Sequence, residues 1–177
     1  MPFQTAVPVN IGLGVAGDFA STNPRQHLVG AHGTDQRKVA DAAGVTVGKF
    51  AILNANGTVT EKPAFADVNA ARLGFVHRAI GSALITTWLA ETSNVIPAGR
   101  PVELFSEGDF FVNVDAVTGT PTRGAKVIWN PVTGAINIGA TVGAATVDTG
   151  FVLLTETAVA GQLVIIGRQN PIVVGTP

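Results

Sequence analysis

The chain has no cysteine and no tyrosine, and only two of its 177 residues are tryptophan. Without cysteine, disulfide staples and thiolate metal sites are excluded. Charge is also scarce. Asp, Glu, Lys and Arg together make up 13% of the chain, against about 25% in an ordinary soluble domain. The two signs nearly cancel, with 11 basic and 12 acidic residues and a net charge of -1. A nucleic-acid partner calls for a basic excess, so none is expected. No basic, apolar leader opens the chain, where Pro2 and Pro8 stand instead. No membrane association is expected either. The uncharged run Val127–Val147 contains Asn130, Pro131, Asn137 and three glycines, and its hydropathy alternates, which fits a hairpin rather than a span.

Glycine, threonine, asparagine and proline fill the gap that charge leaves. At 177 residues the chain is long enough for one domain with a sizeable core. A surface poor in charge suits a protein packed against partners, although a Gly/Thr-rich β-protein would show the same composition.

The densest apolar stretch is Gly74–Val114, read as the central run of strands. Ser82–Ala90 is apolar on both alternation sets and carries the β-branched pair Thr86-Thr87, which favours a strand covered on both faces over a helix. Pro97-Ala98-Gly99 makes a turn, Val102–Phe105 restarts as extended chain after Pro101, and Glu107-Gly108-Asp109 is expected to turn again into Phe110–Val114. Upstream, Val45–Leu53 and Thr58–Thr60 flank Asn56-Gly57, a strong hairpin signal. Lys62–Arg72 reads as a loop or a short helical turn. Downstream, Ala125–Asn130 pairs with Ala135–Ile138, and Phe151–Glu156 with Gln162–Ile166.

Short strands with turn signals at this spacing predict an all-β fold, a sandwich or barrel. One domain is expected: an extended N-terminal arm over residues 1–25, a β core over 26–167 and an extended tail over 168–177. The arm is broken by Pro2, Pro8 and Pro24. It either adds to a neighbour's sheet edge or folds back on its own domain. Phe3, Val9, Ile11, Phe19 and Arg25 in the arm, and Ile172, Val173 and Val174 in the tail, are the candidate partner-binding residues.

Catalytic and cofactor motifs fail on inspection. Gly12-Leu13-Gly14-Val15-Ala16-Gly17 matches G-x-G-x-x-G, but Asp18–Pro24 after it is turn chemistry where a dinucleotide site needs a helix. His27 and His32 lie five apart, which suits neither one helix face nor a zinc pair, and His77 has no acid or nucleophile converging on it in sequence. No enzymatic role, metal or cofactor is expected.

Several segments in order resemble the capsid cement, or decoration, proteins of tailed bacteriophages. They are Ala16–Arg25 (AGDFASTNPR), Ala43–Ala51 (AGVTVGKFA), Gly74–Arg78 (GFVHR), Leu84–Glu91 (LITTWLAE), Ile96–Val102 (IPAGRPV), Gly108–Val112 (GDFFV) and Ala160–Ile165 (AGQLVI). Across Ala31–Ala43 the chain departs from the family with a charged insertion, so contacts near Asp35–Asp41 do not carry over. The resemblance implies a jelly-roll-like β-fold on the outer surface of the virion. It implies assembly in the host cytoplasm and binding to the major capsid protein, with neighbouring subunits bridged and no catalysis. Self-association into a two-fold dimer is expected, with a trimer as the competing arrangement. A carbohydrate- or receptor-binding β-sandwich on the virion is the alternative, and it would need exposed aromatic platforms.

Overall fold

The computed structural model describes residues 14–30, 37–79, 94–139 and 143–168. The expected strand at Ser82–Ala90 lies outside these residues, as do His32 and residues 169–177 of the expected tail; Arg168, its first residue, ends a strand instead.

Among the described residues there is no α-helix. Thirteen strands run in chain order, with two single 3-10 turns at Phe65–Asp67 and Ala70–Arg72 inside the stretch read as a loop or a short helical turn. The first group is β1 (Gln26–His27), β2 (Val39–Ala40), β3 (Val45–Thr46), β4 (Phe50–Leu53), β5 (Thr58–Thr60), β6 (Leu73–Val76) and β7 (Val95–Ile96). Then come β8 (Leu104–Asn113), β9 (Ala116–Val117), β10 (Lys126–Trp129), β11 (Ile136–Gly139), β12 (Val147–Leu153) and β13 (Leu163–Arg168). One hydrogen-bonded path runs β2-β5-β4-β6-β8-β13-β12-β10-β11-β9, β1 pairs with β8, and β3-β7 form a separate ribbon.

The three hairpins read from sequence are present. β4 and β5 pair across Asn56-Gly57, β10 and β11 across residues 130–135, and β12 and β13 across residues 154–162. Most pairs are antiparallel, but β2 joins β5 and β9 joins β11 in parallel.

Two expectations are corrected. Val45–Leu53 is not one strand: its first residues pair with β7, and the chain re-enters as β4 beside β6. Glu107-Gly108-Asp109 is not a hairpin turn either. The chain runs on through it as the ten-residue β8. Before Gly108, β8 pairs with β6 and β1; from Gly108 onward it pairs with β13.

β8 therefore belongs to two sheets, and it must bend to do so. His77 N–H donates to Glu103 O at 3.0 Å, and Phe19 bridges to Phe110. In a straight strand Glu103 and Phe110 would be about 23 Å apart. Yet the rings of His77 and Phe19 have centroids 3.9 Å apart. Gly108, at φ 133, is the residue that permits the corner. A Cβ there would stand 3.1 Å from both the Phe110 ring and Arg25 Cβ. A strand that switches sheets at a bend is how a sandwich makes its corners.

Alternation then sorts the side chains into two cores. Phe50, Ile52, Leu73 and Phe75 from the first sheet meet Phe110, Val127, Trp129, Ile136, Phe151 and Ile166 from the second. Ala51, Leu53, Val76 and Leu104 point the other way, onto Val45 and Ile96 of the β3-β7 ribbon. The first sheet is thus covered on both faces, and β4 and β6 read as unbroken apolar runs for that reason. Phe50, Phe75, Phe110 and Phe151 interlock with centroids 4.6–6.4 Å apart.

Gly108→Ala forces a side chain into a disfavoured φ and two close contacts, so it should lower unfolding free energy by at least ~2 kcal/mol. Phe65→Ala, on a side chain 47% exposed, should change it by less than about 0.5 kcal/mol. Urea unfolding of both variants checks the contrast.

Candidate functional site: the N-terminal strap and the β8 corner

Two of the sequence-nominated residues, Phe19 and Arg25, fall within the described residues, and the structure brings them together. Phe3, Val9, Ile11, Ile172, Val173 and Val174 lie outside them. The part of the arm that is described, residues 14–25, does not extend away from the domain. It lies as a strap along the second half of β8.

The attachment begins with the backbone. Gly17 N–H donates to Phe111 O at 2.8 Å, Phe111 N–H to Asp18 O at 3.0 Å and Ala20 N–H to Asp109 O at 2.9 Å. Gly17 adopts φ 93 and is buried, and its carbonyl accepts from Arg78 N–H at 2.9 Å. The glycines of the G-x-G-x-x-G match that are described serve this close approach. Gly14 lies so near the Phe111 ring that a Cβ would overlap it. No helix follows, so no helix N-terminus is available for a pyrophosphate.

Side chains complete the seat. The Phe19 ring stacks on His77 at 24°, and Arg25 Cζ lies over the same ring, 3.9 Å from its centroid. Two groups that close cannot share a face, so the ring is sandwiched between imidazole and guanidinium. Its edge meets Phe105 at 5.2 Å and 89°, the T-shaped arrangement that the ring quadrupoles favour. Arg78 ties the strap from the other side, reaching Ala16 O at 3.4 Å and Asp18 Oδ1 at 3.5 Å while also donating to Asn94 Oδ1 at 3.0 Å.

Asp109 is the polar anchor, only 5% exposed. Its Oδ2 accepts from Ser21 Oγ at 2.7 Å and from Asn23 Nδ2 at 2.6 Å. Its Oδ1 has no partner among the described residues and faces Gly167, where a Cβ would collide with it. Composition and motif scanning passed over Asp109. The signal that could have found it is a lone acid between Gly108 and Phe110-Phe111, inside an apolar strand, with Ser21 and Asn23 to satisfy it.

The two described histidines, His27 and His77, are not brought into a metal site. His27 stacks against Phe105 at 4.0 Å, and His77 directs Nδ1 at Gly17 O, 2.8 Å away. The carbonyl only accepts, so Nδ1 carries the proton. Among the described residues no three His, Asp or Glu side chains are placed to hold a metal ion. Trp129 is fully buried and offers no platform for a sugar ring.

A second charged group, on β10, β12 and β13, is more exposed. Lys126 Nζ meets Asp148 Oδ2 at 2.8 Å, and Arg168 packs over Gly150. Burial pushes the Asp148 carboxyl up. The Lys126 hydrogen bond, the Gly150 N–H and the charges of Lys126 and Arg168 outweigh it and hold the carboxyl below its ordinary value.

With this geometry in view, the comparisons with known proteins place the chain. The family model of the XM1 gp53 minor capsid protein matches residues 3–168. The chain belongs to that family, a family of phage capsid structural proteins. Among solved structures, a chain from the capsid of Myoviridae Phage XM1 is similar, with a TM-score of 0.57 and 18% sequence identity over 94% of this chain and 97% of that one. At that identity the likeness speaks to the fold. No curated protein matches. The kinship with capsid-associated phage proteins that the sequence segments suggested is confirmed at this level, and the virion capsid is where the family places the protein.

Asn23→Ala removes a hydrogen bond to a buried carboxylate and should lower unfolding free energy by about 1.5–3 kcal/mol. Asp148→Asn, in a pair whose carboxylate is 35% exposed, should cost no more than about 1 kcal/mol. Paired thermal and urea unfolding at neutral pH tests the ordering.

Proposed function

We propose that the protein is a capsid cement protein: it binds the outer surface of the assembled shell and bridges neighbouring major capsid protein subunits. The observation that carries this reading is the family match, which spans residues 3–168 and so covers both sheets and the strap. The sequence resemblance to decoration proteins points the same way, and the 13% charged fraction suits a surface that is covered in its working state.

Its action is binding alone. A protein that binds assembled shell and not separated subunits stabilises the assembly by mass action, by RT ln(1 + [L]/Kd) per site. Many weak sites on one particle add up, because each engaged copy restrains the subunits that the next copy must bridge. A rigid body is what such bridging requires. The interlocked phenylalanines across the two sheets supply it, since cores packed at this density resist deformation. Self-association as a two-fold dimer would double the reach of each copy, and a trimer would suit a three-fold position on the shell.

The test is co-sedimentation of the purified protein with matured capsids of its phage that lack it, with unexpanded procapsids alongside. Saturable binding and shells that resist heat or chelation are the expected result. A folded protein that binds neither shell would contradict the proposal. Removal of residues 1–17 should weaken binding while leaving the two-sheet body folded.

A further inference from the structure

We propose that a cavity between the β3-β7 ribbon and the end of β5 is an anchor site for an arginine side chain of a neighbouring shell subunit. The cavity measures about 270 Å³, and Asp41, Thr46, Thr60, Glu61, Lys62 and Val95 are among the residues that line it. None of them belongs to the strap or to the β8 corner.

Glu61 sets the chemistry of the cavity. It is a carboxylate only 8% exposed. The chain leaving β5 carries it against the edge of β3 that faces away from β7, where Thr46 N–H donates to Oε2 at 2.7 Å. Oε1 accepts no hydrogen bond among the described residues. Lys62 Nζ stands 4.0 Å from it, past hydrogen-bond reach, on a side chain that is 56% exposed. Gly134 of the β10-β11 loop passes beside the same oxygen, and a Cβ there would lie 2.9 Å from it. A carboxylate oxygen taken this far out of water and left without a donor is costly, and a donor brought to it is bound strongly.

The lining selects the donor. Two carboxylates and one ammonium leave the cavity with one negative charge in excess, which a monovalent cation balances. A divalent metal ion would overshoot, and no three acidic or histidine side chains gather to hold one among the described residues. The acceptors are the Asp41 and Glu61 carboxylates and the Thr46 and Thr60 hydroxyls. A guanidinium, with five donors in one plane, meets such a set more fully than an ammonium with three. Val95, exposed on the cavity wall, offers apolar surface to the aliphatic stem. Val132, two residues before Gly134, is exposed on a loop that Asn130 Oδ1 orders by accepting Val132 N–H at 3.0 Å. Arginine seated in a pocket with an apolar surround is a recurrent anchor of protein interfaces. The source of this arginine rests on the capsid reading above; the chemistry of the cavity does not.

Amide chemical shifts of the isotope-labelled full chain, followed by NMR at constant ionic strength, test the cavity with N-acetyl-arginine amide as probe. Saturable shifts at Thr46, Glu61 and Val95 in the millimolar range are expected, with Val127 and Ile166 unmoved. The uncharged isostere N-acetyl-citrulline amide should produce none. Glu61→Gln keeps an acceptor for Thr46 N–H but removes the charge, and it should weaken probe binding at least about tenfold. Asp41→Asn serves in the same way should that variant fail to fold. The assignment is overturned if citrulline and arginine shift these amides alike, if neither does, or if calcium chloride alone saturates the same shifts. Co-sedimentation with matured capsids tests the source: Glu61→Gln should need at least about tenfold more protein for half-saturation. Unchanged half-saturation overturns the anchor and leaves the cement reading standing. A wild type that binds no shell contradicts that reading and the source assigned to the arginine, while the titration still decides the cavity.

Discussion

A strand that serves two sheets has to turn a corner, and a corner in a strand needs a residue able to sit where ordinary side chains do not. Gly108, at φ 133, is that residue. Before it, β8 pairs with β6 and β1; after it, β8 pairs with β13. The bend folds the two halves of the sheet path over each other. Only then can Phe75 and Phe50 reach Phe110 and Phe151 to form one core. The same bend leaves a site beside Gly108 where Arg25 packs, and places Asp109 one residue on, buried and in need of donors. Ser21 and Asn23 of the strap meet that need. Core, corner and strap therefore follow from one local conformation.

The three hairpins were legible from sequence. Asn56-Gly57, residues 130–134 and the Ala/Gly loop before Gln162 each carry turn chemistry between apolar runs, and each closes a hairpin. Glu107-Gly108-Asp109 carries the same chemistry and closes none, because local turn propensity is shared by a reversal and by a bulged corner. The choice between them is made by the partners on either side, which are more than fifty residues away at β13 and about thirty away at β6. Val45–Leu53 was misjudged for a related reason. Continuous apolar character says that a segment is buried, not which sheet each part of it joins.

Of the candidate interface, sequence patterning picked out Phe19 and Arg25 as arm residues but left open whether the arm reaches outward or folds back. Over residues 14–25 it folds back, and the reason is pairwise: an aromatic ring with a cation on one face and a histidine on the other, beside a carboxylate satisfied by two side chains. These contacts join residues up to 88 positions apart, and no local pattern encodes them. The class of protein was legible from ordered short segments that no single motif would have fixed, and the family match over residues 3–168 bears that class out.

The most direct test of the account as a whole is cryo-electron microscopy of the native virion, at a resolution that traces this chain. The account predicts the two-sheet body on the outer surface of the shell, astride a boundary between major capsid protein subunits. It would be contradicted by density on the inner surface, or by a body seated wholly within one subunit with no neighbour in contact.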